Sequence, residues 1–160
     1  MNVENARAEL KKIGMGAMDS IRGMVEALEC DYERLEELRE EKSAAEFPED
    51  NSELNDLQMA AGECTDRDDA EKRIQDEAIS VEYRSGWSTS PNDMVPEEFC
   101  ILLTIGRPGV RIIGDLNEDG EATSACLEVQ DWGTRWTEHI VNCDDYDAIM
   151  SYCRCHYLGN

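Results

Sequence analysis

The chain has 160 residues, of which 37 are Asp or Glu and 15 are Lys or Arg, so its formal net charge is −22. A surface of this sign repels DNA, RNA and anionic membranes, and it attracts proteins that themselves bind nucleic acid. The composition therefore argues against direct binding of nucleic acid or membrane. It predicts a basic, nucleic-acid-binding protein as the partner.

The chain contains no apolar stretch of about 18 residues, and its first residues lack the apolar run of a secretory signal. We therefore expect a cytoplasmic protein. In that compartment its seven cysteines should be reduced thiols that pack as small hydrophobes.

Apolar residues recur every three or four positions near the start of the chain, at the average of about 3.5 that is typical of a coiled-coil seam. They are Leu10, Ile13, Ala17, Ile21, Met24, Leu28, Tyr32, Leu35 and Leu38. Glycine weakens a helix, so a break or kink is expected near Gly14–Gly16. From Ile21 to Ala45 the helix should be uninterrupted, and Phe47-Pro48 should end it.

Two shorter helical patterns follow, each behind a residue that can cap a helix. The first starts at Asp50 and the second at Thr65, with an acidic residue three positions later in both cases. Their apolar positions are Leu54, Leu57 and Ala61, and then Ala70, Ile74 and Ala78. Residues 1–78 are therefore predicted to be an acidic helical region, a hairpin whose return arm is in two pieces.

From Ile79 the apolar period changes to two, which is typical of strands. Four strands are predicted around Ile79–Arg84, Phe99–Ile105, Val110–Leu116 and Ala125–Val129. The second is almost wholly apolar and should be a central strand covered on both faces. A last helix around 146–157 can be capped by Asp144 or Asp145.

The predicted fold class is α+β. It combines an N-terminal, coiled-coil-like helical hairpin, a four-stranded antiparallel meander and a C-terminal helix. Residues 79–160 hold the sheet and the last helix, either as a second domain or as part of one continuous domain.

Acidic side chains form a row with helical spacing on the first hairpin. The row consists of Glu29, Glu33, Glu36 and Glu40, flanked by Glu37 and Glu41, and a second cluster consists of Asp66, Asp68, Asp69 and Glu71. Steps of three or four residues place carboxylates about 5–6 Å apart, so such a row can imitate backbone phosphates. An ordinary solvated helix face gives the same pattern. The chain-wide surplus favours mimicry, because solubility needs a net charge of only about 2–8.

Two of the three tryptophans flank an arginine in the segment Trp132, Arg135 and Trp136. Trp and Arg are common anchors of protein interfaces. The favoured alternative is structural, with both rings over the sheet and Arg135 held against a carboxylate. Arginine suits fixed ion pairs, so some arginines of the second half should be structural.

No residue set predicts catalysis or a bound metal. Cys143, Cys153, Cys155 and His156 lack the paired spacing of a zinc site, and His139 has no evident nucleophile beside it. We therefore expect no catalytic residues, no metal and no cofactor, and a protein that is not an enzyme.

Three segments resemble small acidic proteins carried by phages and mobile elements of proteobacteria. They are GRPGVRIIGDLNEDGE at 106–121, LEVQDWGTRWTE at 127–138 and CDYERLEELR at 30–39. Small acidic phage proteins include anti-restriction and anti-CRISPR inhibitors, several of which mimic nucleic acid. The resemblance thus implies a counter-defence role in the host bacterial cytoplasm, and it supplies no catalytic residues.

The leading hypothesis is a phage-encoded anti-CRISPR or anti-restriction inhibitor. It would act as an acidic nucleic-acid mimic on a CRISPR effector complex or a restriction enzyme. The alternative is an interaction or assembly protein that forms a homodimer through the N-terminal helix, with Ile21, Leu28, Leu35 and Leu38 as the seam. A small enzyme is the third and weakest hypothesis.

Overall fold

A computed structural model describes residues 3–158 as five α-helices and a five-stranded antiparallel sheet. The helices are α1 (Val3–Glu29), α2 (Tyr32–Ala44), α3 (Ser52–Ala61), α4 (Arg67–Glu77) and α5 (Cys143–Arg154). The strands are β1 (Ser80–Ser85), β2 (Pro96–Thr104), β3 (Gly109–Asp115), β4 (Cys126–Gln130) and β5 (Thr137–Glu138). The α+β class is confirmed. The strand number is wrong by one, because β5 has two residues and is too short to show an alternating pattern.

The sheet is a meander in the order β1-β2-β3-β4-β5. Its inner face is apolar, and the register aligns Ile101, Ile112 and Leu127 across three strands. These side chains are buried in one core with residues of α1, α4 and α5. Helices therefore cover the sheet on one side.

The prediction that the second strand is covered on both faces is wrong. Phe99, Ile101 and Leu103 are buried, whereas Cys100 and Leu102 between them are only half-buried. Within residues 3–158, the buried core lies on the inner face alone. An almost wholly apolar run does not distinguish a strand with one covered face from a strand with two.

Both predicted regions contribute to the same core. Met18 and Ile21 of α1 and Ile74 of α4 pack in one cluster with Ile112 of the sheet and Tyr152 of α5. The boundary at residues 78 and 79 therefore does not separate two cores. A second, smaller cluster joins α2 to α3 and consists of Leu35, Leu38, Leu54 and Ala61.

The first predicted helix breaks at a different place from the one expected. α1 runs through Gly14–Gly16, and the chain leaves the helix at Cys30 and Asp31 instead. Asp31 caps α2, since its carboxylate accepts a hydrogen bond from the Arg34 backbone N–H at 3.0 Å. The Tyr32 hydroxyl donates to the Ala27 carbonyl at 2.7 Å and so binds one of the last free carbonyls of α1. The predicted continuous helix from Ile21 to Ala45 is thus wrong.

The return arm in two pieces is confirmed, although its starts are shifted. The N-cap of α3 is Asn51 rather than Asp50, and the N-cap of α4 is Asp66 rather than Thr65. Asn142, and not Asp144 or Asp145, caps α5. In each case the side-chain oxygen of the cap accepts a hydrogen bond from the backbone N–H three residues later. The spacing of apolar residues locates the start of a helix only to within a few residues, so it does not identify the capping residue.

The heptad-like seam is buried within the chain. Ile21, Leu28, Leu35 and Leu38 expose 1%, 6%, 1% and 2% of their surface. A homodimer through these four side chains would require the helices to separate from their own core. Among residues 3–158, no helix has the length and apolar character that a membrane span requires.

Candidate functional site

The densest negative charge lies on the segment 29–56, which we call the acidic arm. It comprises the last residue of α1, all of α2, the loop after it and the first half of α3. This segment holds 12 acidic and 3 basic residues, a net charge of −9 out of −22 for the chain. Each of the 12 acidic residues is exposed to solvent. The arm is therefore a negatively charged surface rather than a set of buried ion pairs.

Helix α2 carries its glutamates on one side. At 100° per residue, its acidic positions lie opposite Leu35 and Leu38, which are buried against α3. These positions are Glu33, Glu36, Glu37, Glu40 and Glu41. Glu29 belongs to α1, beyond the break, so the predicted row of four is in fact split between two helices.

Arginine side chains neutralise part of this row. Arg34 contacts Glu37 at 3.1 Å and reaches across to Glu53 of α3 at 2.9 Å. The hydrogen bond from Arg34 lowers the pKa of Glu53, so this carboxylate stays ionised. Within residues 3–158, Glu33 and Glu40 have no ion-pair partner within 4.0 Å. These two are the α2 carboxylates that are free to meet a basic partner.

The second acidic cluster has a local structural use. Asp66 accepts a hydrogen bond from the Asp69 N–H at 2.7 Å, and Asp69 accepts one from the Thr65 N–H at 3.0 Å. Both carboxylates stabilise the start of α4, where the helix dipole favours negative charge. Asp68, in the same first turn, is exposed. Helix capping thus explains two of the four acidic residues in this cluster.

The tryptophan segment packs beside arginines, but not in the predicted way. Arg111 lies 4.3 Å from the ring centroid of Trp136 and contacts Glu128 at 2.6 Å. Arg107 lies 3.7 Å from the ring centroid of Trp132, which remains 71% exposed. Within the described part of the chain, Arg135 has no carboxylate partner, so the expected Arg135 ion pair is wrong. Arg111, on strand β3, takes that role.

Structural arginines in the second half are confirmed. Arg84 binds Glu98 through two hydrogen bonds of 2.5 and 2.8 Å, and Arg111 binds Glu128 on the same side of the sheet. Both pairs join neighbouring strands in register. Cross-strand pairs of opposite charge favour the register that brings them together.

The cysteines and histidines are placed separately by the fold. All seven cysteines are free thiols, and burial raises the pKa of Cys153 to about 12. Cys143 is exposed at the start of α5. The Nε2 atom of His156 is buried and has no hydrogen-bond partner among the described residues, and burial lowers the pKa of this imidazole. In residues 3–158, no three His, Cys, Asp or Glu side chains are arranged to hold a metal ion.

The sequence reasoning missed the outer face of the sheet. The register aligns Glu82, Cys100, Ile113 and Cys126 across β1 to β4, with the side chains directed away from the helices. This face lines a concavity of about 500 Å³. The sequence contains a signal for this face, because Glu82 on β1 and Arg111 on β3 are polar at outward positions. The apolar Cys100 and Leu102 of β2 instead predict coverage on both faces.

Comparison of the chain with family models, curated proteins and solved structures finds no match. The likeness to small acidic phage proteins therefore stays a prediction from the sequence.

Proposed function

We propose that this protein is a non-catalytic inhibitor that binds a basic, nucleic-acid-binding protein through the acidic arm. The partner would be a defence complex such as a CRISPR effector or a restriction enzyme. The arm would occupy the channel that otherwise holds nucleic acid. The main support for this proposal is that all 12 acidic residues of 29–56 are exposed, whereas the same segment contains only 3 basic residues.

The geometry of α2 supports this proposal. Residues three and four apart on a helix lie about 5–6 Å from one another, so its glutamates form a regularly spaced anionic row. Such a row can replace several phosphates in a positively charged channel. Since each exposed charge contact contributes about 0.2–1 kcal/mol, tight binding would require many of them together.

The test is a competition experiment. Purified protein is added to a candidate CRISPR effector complex or restriction enzyme, and binding of target DNA is measured by mobility shift. The unmodified protein should displace DNA. The triple variant Glu33→Lys, Glu36→Lys and Glu40→Lys should inhibit at least about tenfold less well, because it converts attraction into repulsion.

The matched control reverses three exposed charges away from the arm, at Asp93, Glu118 and Asp119. It has the same net charge as the arm variant, so it should inhibit like the unmodified protein. Equal loss in both variants would show a dependence on net charge alone. Either that result or unchanged DNA binding by every complex tested would refute the proposed function.

A further inference from the structure

The outer side of the sheet is not covered by any of the described helices, and the Trp136 ring lies there, 4.3 Å from Arg111. We call it the open face and define it by the outward residues of the five strands. In one row across the strands lie Glu82, Cys100, Ile113 and Cys126. In the next row lie Ser80, Leu102, Arg111, Glu128 and Glu138.

The floor of the open face is apolar. Cys100, Leu102, Ile113 and Cys126 are half-buried there, and Cys100, Ile113 and Cys126 line a concavity of about 500 Å³. Burial raises the pKa of Cys126 to about 12, so this thiol is neutral and behaves as a small hydrophobe. Further coverage of these side chains would remove apolar area from water.

The rim of the open face is acidic. Two arginines lie on it, and each is already paired: Arg84 with Glu98 and Arg111 with Glu128. Three carboxylates remain that have no ion-pair partner within residues 3–158, namely Glu82, Asp115 and Glu138. Asp115 accepts a hydrogen bond from the Ser124 hydroxyl at 2.8 Å. The rim thus carries a surplus of negative charge around an apolar floor.

We propose that the open face is a docking surface for a basic amphipathic helix of a partner protein. Apolar side chains of that helix would contact Ile113 and Leu102, and its Lys or Arg side chains would meet the unpaired carboxylates of the rim. Helices already cover the inner face, and a helix on the outer face would complete a three-layer arrangement.

The dimensions fit a helix. Glu82 on β1 and Glu138 on β5 lie four strands apart, roughly 19 Å at the usual strand spacing. A helix rises 1.5 Å per residue, so about 13 residues span that distance. The partner helix should therefore be basic at both ends and apolar on one side between them.

A second copy of this chain does not fit the same surface. Two open faces packed together would bring two acidic rims into contact, and like charges at close range are destabilising. The docking surface also lies on strands β1 to β5, separate from the acidic arm of residues 29–56. The inference therefore goes beyond the proposed function and does not depend on it.

The probe is a synthetic helical peptide of about 15 residues with Leu along one side and Lys in its first and last turns. Its control is a peptide of the same composition in scrambled order, which keeps the charge and loses the apolar side. Binding is followed by backbone amide chemical shifts of the labelled protein. We expect saturable shifts in β1 to β4 with the ordered peptide, and at least about tenfold weaker binding of the scrambled one.

Two protein variants locate the site. Ile113→Lys should weaken binding of the ordered peptide at least about tenfold, because it places a charge on the apolar floor. The double variant Glu82→Gln and Glu138→Gln keeps the floor and should weaken binding several-fold, with a smaller dependence on salt. If Ile113→Lys does not fold, this double variant tests the location of the docking surface.

The acidic-arm triple variant is the control for general charge attraction and should keep its affinity for the ordered peptide. Equal binding of the ordered and scrambled peptides would overturn the proposal. So would shifts confined to residues 29–56. Either result leaves the DNA-competition experiment unaffected, so the two proposals fail separately.

Discussion

At the scale of single residues, Gly14 is a contact position rather than a hinge. It lies inside α1, and a Cβ atom there would overlap the imidazole ring of His139. The ring is half-buried, and burial lowers its pKa. The missing side chain therefore lets α1 approach the segment after β5. The low helix propensity of glycine predicts a break at this position. The sequence does not show that His139, 125 residues later, packs against Gly14.

Gly14→Ala should destabilise the protein by about 1–3 kcal/mol, because the added methyl group overpacks the contact with His139. The matched controls are Gly16→Ala and Gly23→Ala in the same helix, where no atom of another described element lies within 4 Å of the added methyl group. Each control should stabilise by about 0.5–1 kcal/mol through helix propensity. Urea denaturation measures all three, and a stabilising Gly14→Ala would contradict the contact.

At the scale of elements, the break between α1 and α2 creates the acidic arm. Asp31 caps the new helix, and the change of direction lets Leu35 and Leu38 pack on α3 in a small separate cluster. A small cluster buries little apolar surface, so the arm is expected to open at a lower free energy than the main core.

Asp31→Ala should cost about 1 kcal/mol, because the Arg34 N–H loses its capping oxygen. The loss should be local. Amide hydrogen exchange is expected to accelerate in α2 and α3 and to stay unchanged in β2 and β3. Asp50→Ala removes the same charge from the loop before α3 and is the control. Equal acceleration in the central strands would show that the arm and the core open together.

At the scale of the whole molecule, a net charge of −22 surrounds one main core. Like charges repel most in the compact state, and dissolved salt screens that repulsion. The specific ion pairs act in the opposite direction, since salt weakens Arg22–Asp145, Arg84–Glu98 and Arg111–Glu128. Because carboxylates outnumber basic groups by more than two to one, repulsion should dominate.

We therefore expect the Tm to rise when NaCl is raised from about 10 to about 150 mM, where the Debye length falls from roughly 30 to 8 Å. Calorimetry at the two concentrations measures the change. A variant with Glu33, Glu36 and Glu40 changed to Gln should show a smaller rise, because it removes charge from the densest segment. A Tm that falls with salt would mean that the specific pairs outweigh the repulsion.

The sequence by itself determined the local features of this protein. The net charge, the change of period at Ile79, the two-piece return arm and the acidic positions of α2 follow from residue type and spacing. These properties depend on neighbours close in the chain, so a linear pattern contains them. Helix starts were correct only to a few residues, because a cap depends on one hydrogen bond.

Only the tertiary structure decided what each side chain contacts. It placed His139 on Gly14, turned the chain at Asp31, and buried the heptad-like seam inside a single molecule. It also left one side of the sheet open, although β2 is uniformly apolar from Phe99 to Leu103. Such outcomes depend on packing between residues far apart in the chain, and a pattern along one segment contains no information about the partner segment.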